Sequence, residues 1–198
     1  MIRFMRRVLL TFLILLFLPQ NADATTVEAL SDRQIIERAD FIAFGTVVSS
    51  QVVTKKSWAT TRYVFQVYQP FVGAKMAQMV HIDLPGGKLN DQIQMTVPGT
   101  PQLKKGRSYL ILAQKAGDRY LPIGLTLGVL TARRTGPKTY MLSRSIEGVH
   151  LQPAGDTGSG VTLDLAETSL AQWRQRIKDA LKKPRAPLPD LAPPGVKR

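Results

Sequence analysis

Phe41-Ile42-Ala43-Phe44-Gly45-Thr46-Val47-Val48 is the stretch that decides the fold. Successive side chains of a strand point to opposite faces. Phe41, Ala43, Gly45 and Val47 therefore share one face, and Ile42, Phe44 and Val48 share the other. Both faces are apolar, so the first half of this strand is expected to be buried on both sides. The wider run Phe41 to Val53 is rich in β-branched and aromatic residues and predicts one long strand. Gly45 within it predicts a bend or bulge, which a small barrel needs at its corners.

Working outward, Lys55-Lys56-Ser57 reads as a polar turn, and Thr60 to Tyr68 returns as the second arm of a long hairpin. Tyr63, Phe65 and Val67 alternate there against Arg62 and Gln66. Pro70 and Gly73 close the arm. Met79 to Leu84 is a third strand, with Val80, Ile82 and Leu84 inward and His81 and Asp83 outward. Pro85 to Pro101 is a long connection, and such loops in a small domain are commonly functional or specially packed. Arg107 to Gln114 is a fourth strand, Tyr120-Leu121 follows a tight turn, and Leu125 to Ala132 and Thr139 to Ser143 are further strands. Val27 to Ala39 reads as a helix with Leu30, Ile35 and Ile36 on one face and Ser31 as an internal cap. Ser169 to Lys183 reads as a second helix with Leu170, Trp173, Ile177 and Leu181 inward, capped by Thr168 or Ser169 and stopped by Pro184. The expected fold is mainly β: a small closed or partly open antiparallel OB-like barrel with a short N-terminal helix and a C-terminal helix.

Met1 to Ala24 has the parts of a secretory signal: Arg3, Arg6 and Arg7, then the apolar run Val8 to Leu18, then Ala22-Asp23-Ala24 before a cut at Thr25. The apolar run is too short for a spanning helix. Three segments follow from this: a signal over 1–24, one β-barrel domain with terminal helices over 25–181, and a proline-rich basic tail over 182–198. Localisation is expected to be exported, periplasmic or extracellular, with no transmembrane anchor after signal cleavage. The chain has 27 Lys+Arg against 14 Asp+Glu, a net of +13. From Arg174 onward there are eight basic and two acidic residues, which leaves a net of only +5 over residues 25–173. The absence of cysteine excludes disulfides, thiol catalysis and thiolate metal sites. Two histidines argue against most zinc enzymes.

The entry Ala39 to Val47, the basic hairpin tip, and Tyr63-Val64-Phe65-Gln66-Val67-Tyr68 resemble the opening of tissue-inhibitor-of-metalloproteinases-like, or netrin-like, domains, which are OB-fold barrels. The mature chain is more closely similar to small exported bacterial proteins of that type. The matching segments are Glu37 to Val47, Pro85 to Gly87, Val97 to Pro101, Gly106 to Leu112 and Ser169 to Leu181. The resemblance implies a protein-binding role in which the hairpin touches a protease. Animal inhibitors of this kind place the α-amino group of an N-terminal cysteine on the target's zinc. Here the expected N-terminus is Thr25 and there is no cysteine, so inhibition does not carry over directly.

No catalytic set, metal site or cofactor is expected. Asp156-Thr157-Gly158-Ser159 spells the aspartic-protease tetrad, but that chemistry needs two such carboxylates and an apolar strand before the Asp. Gly158-Ser159-Gly160 lacks the strand–turn–helix context of a nucleophile elbow. His81 beside Asp83 is a solvated pair at most, and His150 is far away in sequence. The leading expectation is a non-enzymatic exported binding module whose partner is another exported protein, a protease among the candidates. Its candidate contacts are Thr25, Lys55, Lys56, Pro85, Gly86, Gly87, Val97, Pro98 and Gly99. The alternative is an envelope-associated protein that binds anionic polymers through Arg174, Arg176, Lys178, Lys182, Lys183 and Arg185. Nucleic acid is not expected as a partner.

Overall fold

The computed structural model describes residues 25–55, 58–90, 92–153 and 163–182. The expected signal segment, Lys56, the Asp156–Ser159 tetrad with its glycine-rich surroundings, and the tail beyond Lys182 lie outside them. The chain runs β1 (Thr25–Ala29), α1 (Asp32–Arg38), β2 (Phe41–Lys55), β3 (Trp58–Val72), β4 (Met79–Pro85), β5 (Gly87–Lys88) and β6 (Gln94–Met95). It continues through β7 (Ser108–Ala116), β8 (Arg119–Pro122), a 3-10 turn (Leu125–Gly128), β9 (Val129–Arg134), β10 (Tyr140–Ser143) and β11 (Val149–Pro153). It ends with β12 (Thr168–Ser169) and α2 (Leu170–Leu181).

The protein is mainly β, and five of its strands form a ring. Strand β2 pairs with β3, β3 with β4, β7 with β2 and β8 with β7, all antiparallel. The ring closes through a short parallel pair, His81↔Arg119 and Ile82↔Tyr120, between β4 and β8. An all-antiparallel arrangement is therefore corrected at the seam: β8 turns back from β7 and reaches β4 running in β4's own direction. Phe41 seals the seam from within, its ring 4.4 Å from that of Tyr120. Strands β9, β10 and β12 extend the sheet outward from β7.

The alternation in Phe41–Val47 feeds two cores. Phe41, Ala43 and Val47 fill the ring together with Phe65, Val67, Ile82 and Ile111. Ile42 and Phe44 face the other way and meet Ile35, Ile36, Leu112, Trp173 and Ile177 beneath the helices. Gly45 sits at a shift of register, and a Cβ there would lie 2.0 Å from the Gln66 carbonyl oxygen. The corner tolerates no side chain.

Four local expectations are corrected and one open alternative is resolved. The helix expected from Val27 spans only Asp32–Arg38, because Thr25–Ala29 is drawn into parallel pairing with Val149–Pro153. Ser31 is the N-cap rather than an internal residue; its hydroxyl accepts from the Gln34 N–H while the Gln34 side chain accepts from the Ser31 N–H. The strand expected from Leu125 begins as a 3-10 turn, since Gly124 and Leu125 both hold positive φ, 55° and 53°. On α2, Ala180 takes the buried position expected for Leu181, and Leu181 is exposed. Ser169, not Thr168, caps α2, again with a reciprocal box to Gln172. Among the described residues no helix is long and apolar enough to cross a membrane.

Candidate functional site

The β2–β3 hairpin extends past the ring. From Ser49 to Lys55 every residue of β2 is exposed, and the register runs from Ser49↔Val64 to Lys55↔Trp58. Val52, Val53 and Trp58 present apolar surface there, and Trp58 is 53% exposed.

The Pro85–Pro101 connection folds back to brace this hairpin. Gly86 N–H donates to the Ala59 carbonyl at 2.9 Å, and the Thr61 hydroxyl donates to the Gly86 carbonyl at 2.8 Å. The Ala59 N–H points at the Met95 sulfur, 3.4 Å away. Gly87, at φ +142°, sits so close that a Cβ would come within 2.9 Å of Val52 and of the Thr61 hydroxyl. The glycines therefore allow backbone to approach the chain's own hairpin. Pro85, Gly86, Gly87 and Val97 line a polar cavity of about 270 Å³ with Tyr63, Thr100 and Lys104. Burial pushes the Tyr63 phenol upward from its ordinary range. Pro98 and Gly99 follow Val97 half-buried, with Gly99 against Gly148. The structure thus gathers the hairpin, Pro85–Gly87 and the Val97 segment at one end. Thr25 heads β1, in register with Val149.

A second, more apolar cleft of about 540 Å³ lies on the other flank of the hairpin root. Val27 and Leu30 form one wall, Trp58 and Pro85 another, and Leu121, Ile123 and Leu125 a third. It opens where the β4–β8 pairing stops at Ile82↔Tyr120, while β4 itself continues to Pro85. Asp83 also lines it, and the expected outward pair with His81 is corrected. Asp83 is buried and accepts from Arg62 Nε at 2.9 Å, Arg62 Nη2 at 3.0 Å and Arg119 Nη1 at 3.1 Å. Burial works to raise this carboxyl, but the hydrogen bonds and charges of Arg62 and Arg119 outweigh it and hold the carboxyl below its ordinary range. Two guanidiniums share this carboxylate, Asp118 is a second negative charge acting on Arg62, and Arg119 is half exposed. His150 lies on β11, in a different sheet from His81.

Residues 50–107 hold eight basic and two acidic residues, so the mild charge of the domain is concentrated here. Lys55, Lys104, Lys105 and Arg107 are exposed and face no carboxylate at ion-pair distance among the described residues. The C-terminal cations are placed differently. Arg176 donates to Asp32 at 2.8 Å and to Asp164 at 2.7 Å, and its guanidinium lies over Trp173. Lys182 pairs with Asp179 at 2.8 Å. Arg174 and Lys178 are exposed, while Lys183 and Arg185 lie outside the described residues. An anionic surface at that end thus loses Arg176 to the helix packing.

Sequence reasoning missed Trp58, Leu121 and Arg119. Trp58 carried a signal: a tryptophan directly after a polar tip, at the start of a strand whose alternation places Tyr63 and Phe65 inside. Arg119 and Leu121 carried none, because only the ring closure brings them beside β4. These elements define a strand ring with a braced, basic, apolar-tipped hairpin. Comparison with known proteins finds no matching family model, no matching curated protein and no matching solved structure.

Proposed function

We propose that this chain is an exported, non-enzymatic binding module with an OB-like barrel, and that its working face is the hairpin end. Another exported protein is the partner. One observation carries the reading: a fifteen-residue strand runs out of the ring, exposed from Ser49 onward, and brings Val52, Val53 and Trp58 to water beside unpaired cations. The ring closes without the outer half of this arm, and apolar residues rimmed by charge are the composition of a protein contact surface. The Pro85–Pro101 brace keeps the arm ordered before it binds, which lowers the entropy cost of association.

The test is a photo-crosslinking residue at Val53 in the exported protein in its native host, with Lys138, in the turn between β9 and β10, as the control position. A distinct protein adduct from Val53 and not from Lys138 is the expected result. Loss of any Val53-specific adduct overturns the reading.

A further inference from the structure

We propose that the open outer edge of β2, from Ser49 to Thr54, pairs with an extended strand of the partner whose flanks carry carboxylates. The inference rests on the protein-binding reading above and deepens it to the mode of recognition. On the side of β2 away from β3, strand β7 pairs only as far as Thr46↔Ser108. One further tie follows: Val47 N–H donates to the Arg107 carbonyl at 3.1 Å, and Gly106 N–H donates to the Val47 carbonyl at 2.8 Å. Beyond it no strand covers that side among the described residues, and Ser49 to Lys55 are all exposed. The register fixes which backbone groups face outward. Ala59 turns its N–H to Met95 and its carbonyl to Gly86, away from β2, and Val67 likewise turns to Gln78 and Ala77. Alternation along β3 then turns Trp58, Thr60, Arg62 and Val64 toward β2, where they oppose Lys55, Val53, Gln51 and Ser49. Ser50, Val52 and Thr54 are left with N–H and carbonyl groups facing water.

Edges of this kind are usually blunted by charge or proline. Ser49-Ser50-Gln51-Val52-Val53-Thr54 has neither, and its β-branched residues suit pairing. Another strand presents N–H and carbonyl groups at the same two-residue repeat, so it meets both kinds of group at once. A polyanion can only accept hydrogen bonds, and it leaves the carbonyls unmet. Charge then selects among strands. Lys55 closes the outer end of the edge, and Lys104, Lys105 and Arg107 stand in the turn that ties Val47 at the inner end. Lys104 lines the same polar cavity as Ser50. These cations are exposed and face no carboxylate at ion-pair distance among the described residues. A second copy is disfavoured, because antiparallel self-pairing centred on Val52 sets Lys55 opposite Ser49 of the other copy, next to the turn that holds these cations. Carboxylates beyond the ends of the paired stretch are attracted there instead.

The experiment is selection of short phage-displayed peptides on the purified protein, followed by fluorescence polarisation. Enriched peptides are expected to carry a proline-free run flanked by Asp or Glu. Methylating their backbone nitrogens one at a time should abolish binding at every second position and spare those between, since only alternate N–H groups face β2. Val52→Pro removes an outward N–H and should weaken binding about tenfold, while Val52→Thr keeps the backbone and should stay within about twofold. Lys104→Glu together with Lys105→Glu should weaken it about tenfold, and added salt should lower the wild-type affinity. The proposal falls if no peptide is enriched, if the enriched peptides lack the acids, or if methylation shows no period of two. The methylation series uses the wild type, so it decides the matter even where Val52→Pro does not fold. The proposal also falls if the protein sediments as a dimer that Val52→Pro dissociates, which assigns the edge to a second copy. A Val53 adduct obtained while the peptide results fail sinks the edge assignment and leaves the protein-binding reading standing. Absence of the adduct in the wild type sinks the reading itself.

Discussion

The protein's two tryptophans sit in opposite circumstances. Trp173 is 1% exposed under the helices, with the guanidiniums of Arg144 and Arg176 at 5.6 and 5.5 Å from its ring centre. Those two cations are met by two carboxylates, since Asp32 accepts from both and Asp164 from Arg176. At the hairpin end Trp58 is half exposed, and the two arginines beside Asp83 are met by that carboxylate and, for Arg62, by the charge of Asp118. The same residue types thus appear once with the aromatic ring covered, where Arg144 keeps two buried N–H groups without a hydrogen-bond acceptor, and once with the ring in water. Where the aromatic surface is covered, its contacts stabilise the fold; where it stays in water, it contributes little to folding.

The largest expected effect breaks this contrast if it fails. Trp173→Ala should cost about 3–5 kcal/mol in urea unfolding, as for a buried aromatic truncated to a cavity, while Trp58→Ala should stay within about 0.5 kcal/mol. Equal costs for the two would mean that Trp58 is part of the core. Iodide should quench Trp58 fluorescence and spare Trp173.

Next comes the shared carboxylate. Asp83→Asn leaves two guanidiniums without their counter-ion and should cost about 3 kcal/mol at neutral pH. The pH dependence has a definite sign. The folded carboxyl is held below its unfolded value, so the unfolded chain binds the proton more readily. The stabilisation is full above the unfolded carboxylate range and is lost as pH falls through the folded value. Wild type and Asp83→Asn should therefore converge in stability under acid and diverge toward neutrality. Parallel stability profiles across that range would show that the cluster is energetically idle.

The smallest effect sharpens the buried side. Ser169→Ala removes the hydroxyl that accepts the Gln172 N–H and should cost about 1 kcal/mol. The loss should appear in thermal unfolding with the Val53 crosslink unchanged. A change in that crosslink would mean that the helical layer and the hairpin are coupled.

Local chemistry was legible in proportion to how local it was. The two-faced Phe41–Val47 strand, the bend at Gly45, the hairpin and the Ser169 cap all rest on neighbours in sequence or on a period of two. Arg62 opposite Asp83 was within reach as well, because the hairpin and the next strand set a register in which they face each other. The β1 strand was not, since its partner lies at Val149–Pro153, and an isolated Thr25–Ala29 has no pattern strong enough to announce it. The C-terminal cations misled for a related reason. Net charge over a segment does not reveal that Arg176 turns inward onto Asp32 and Asp164.

By itself, then, the amino-acid order determined a β-rich chain with an alternating two-faced strand, a long arm and two short helices, because backbone sterics, capping and apolar periodicity act over a few residues. Tertiary structure alone decided that the ring closes through a parallel seam, that Arg119 joins Asp83, and that Trp58 faces an open cleft. Those outcomes depend on which distant segments meet once two cores must be filled at the same time, and no local preference encodes that choice.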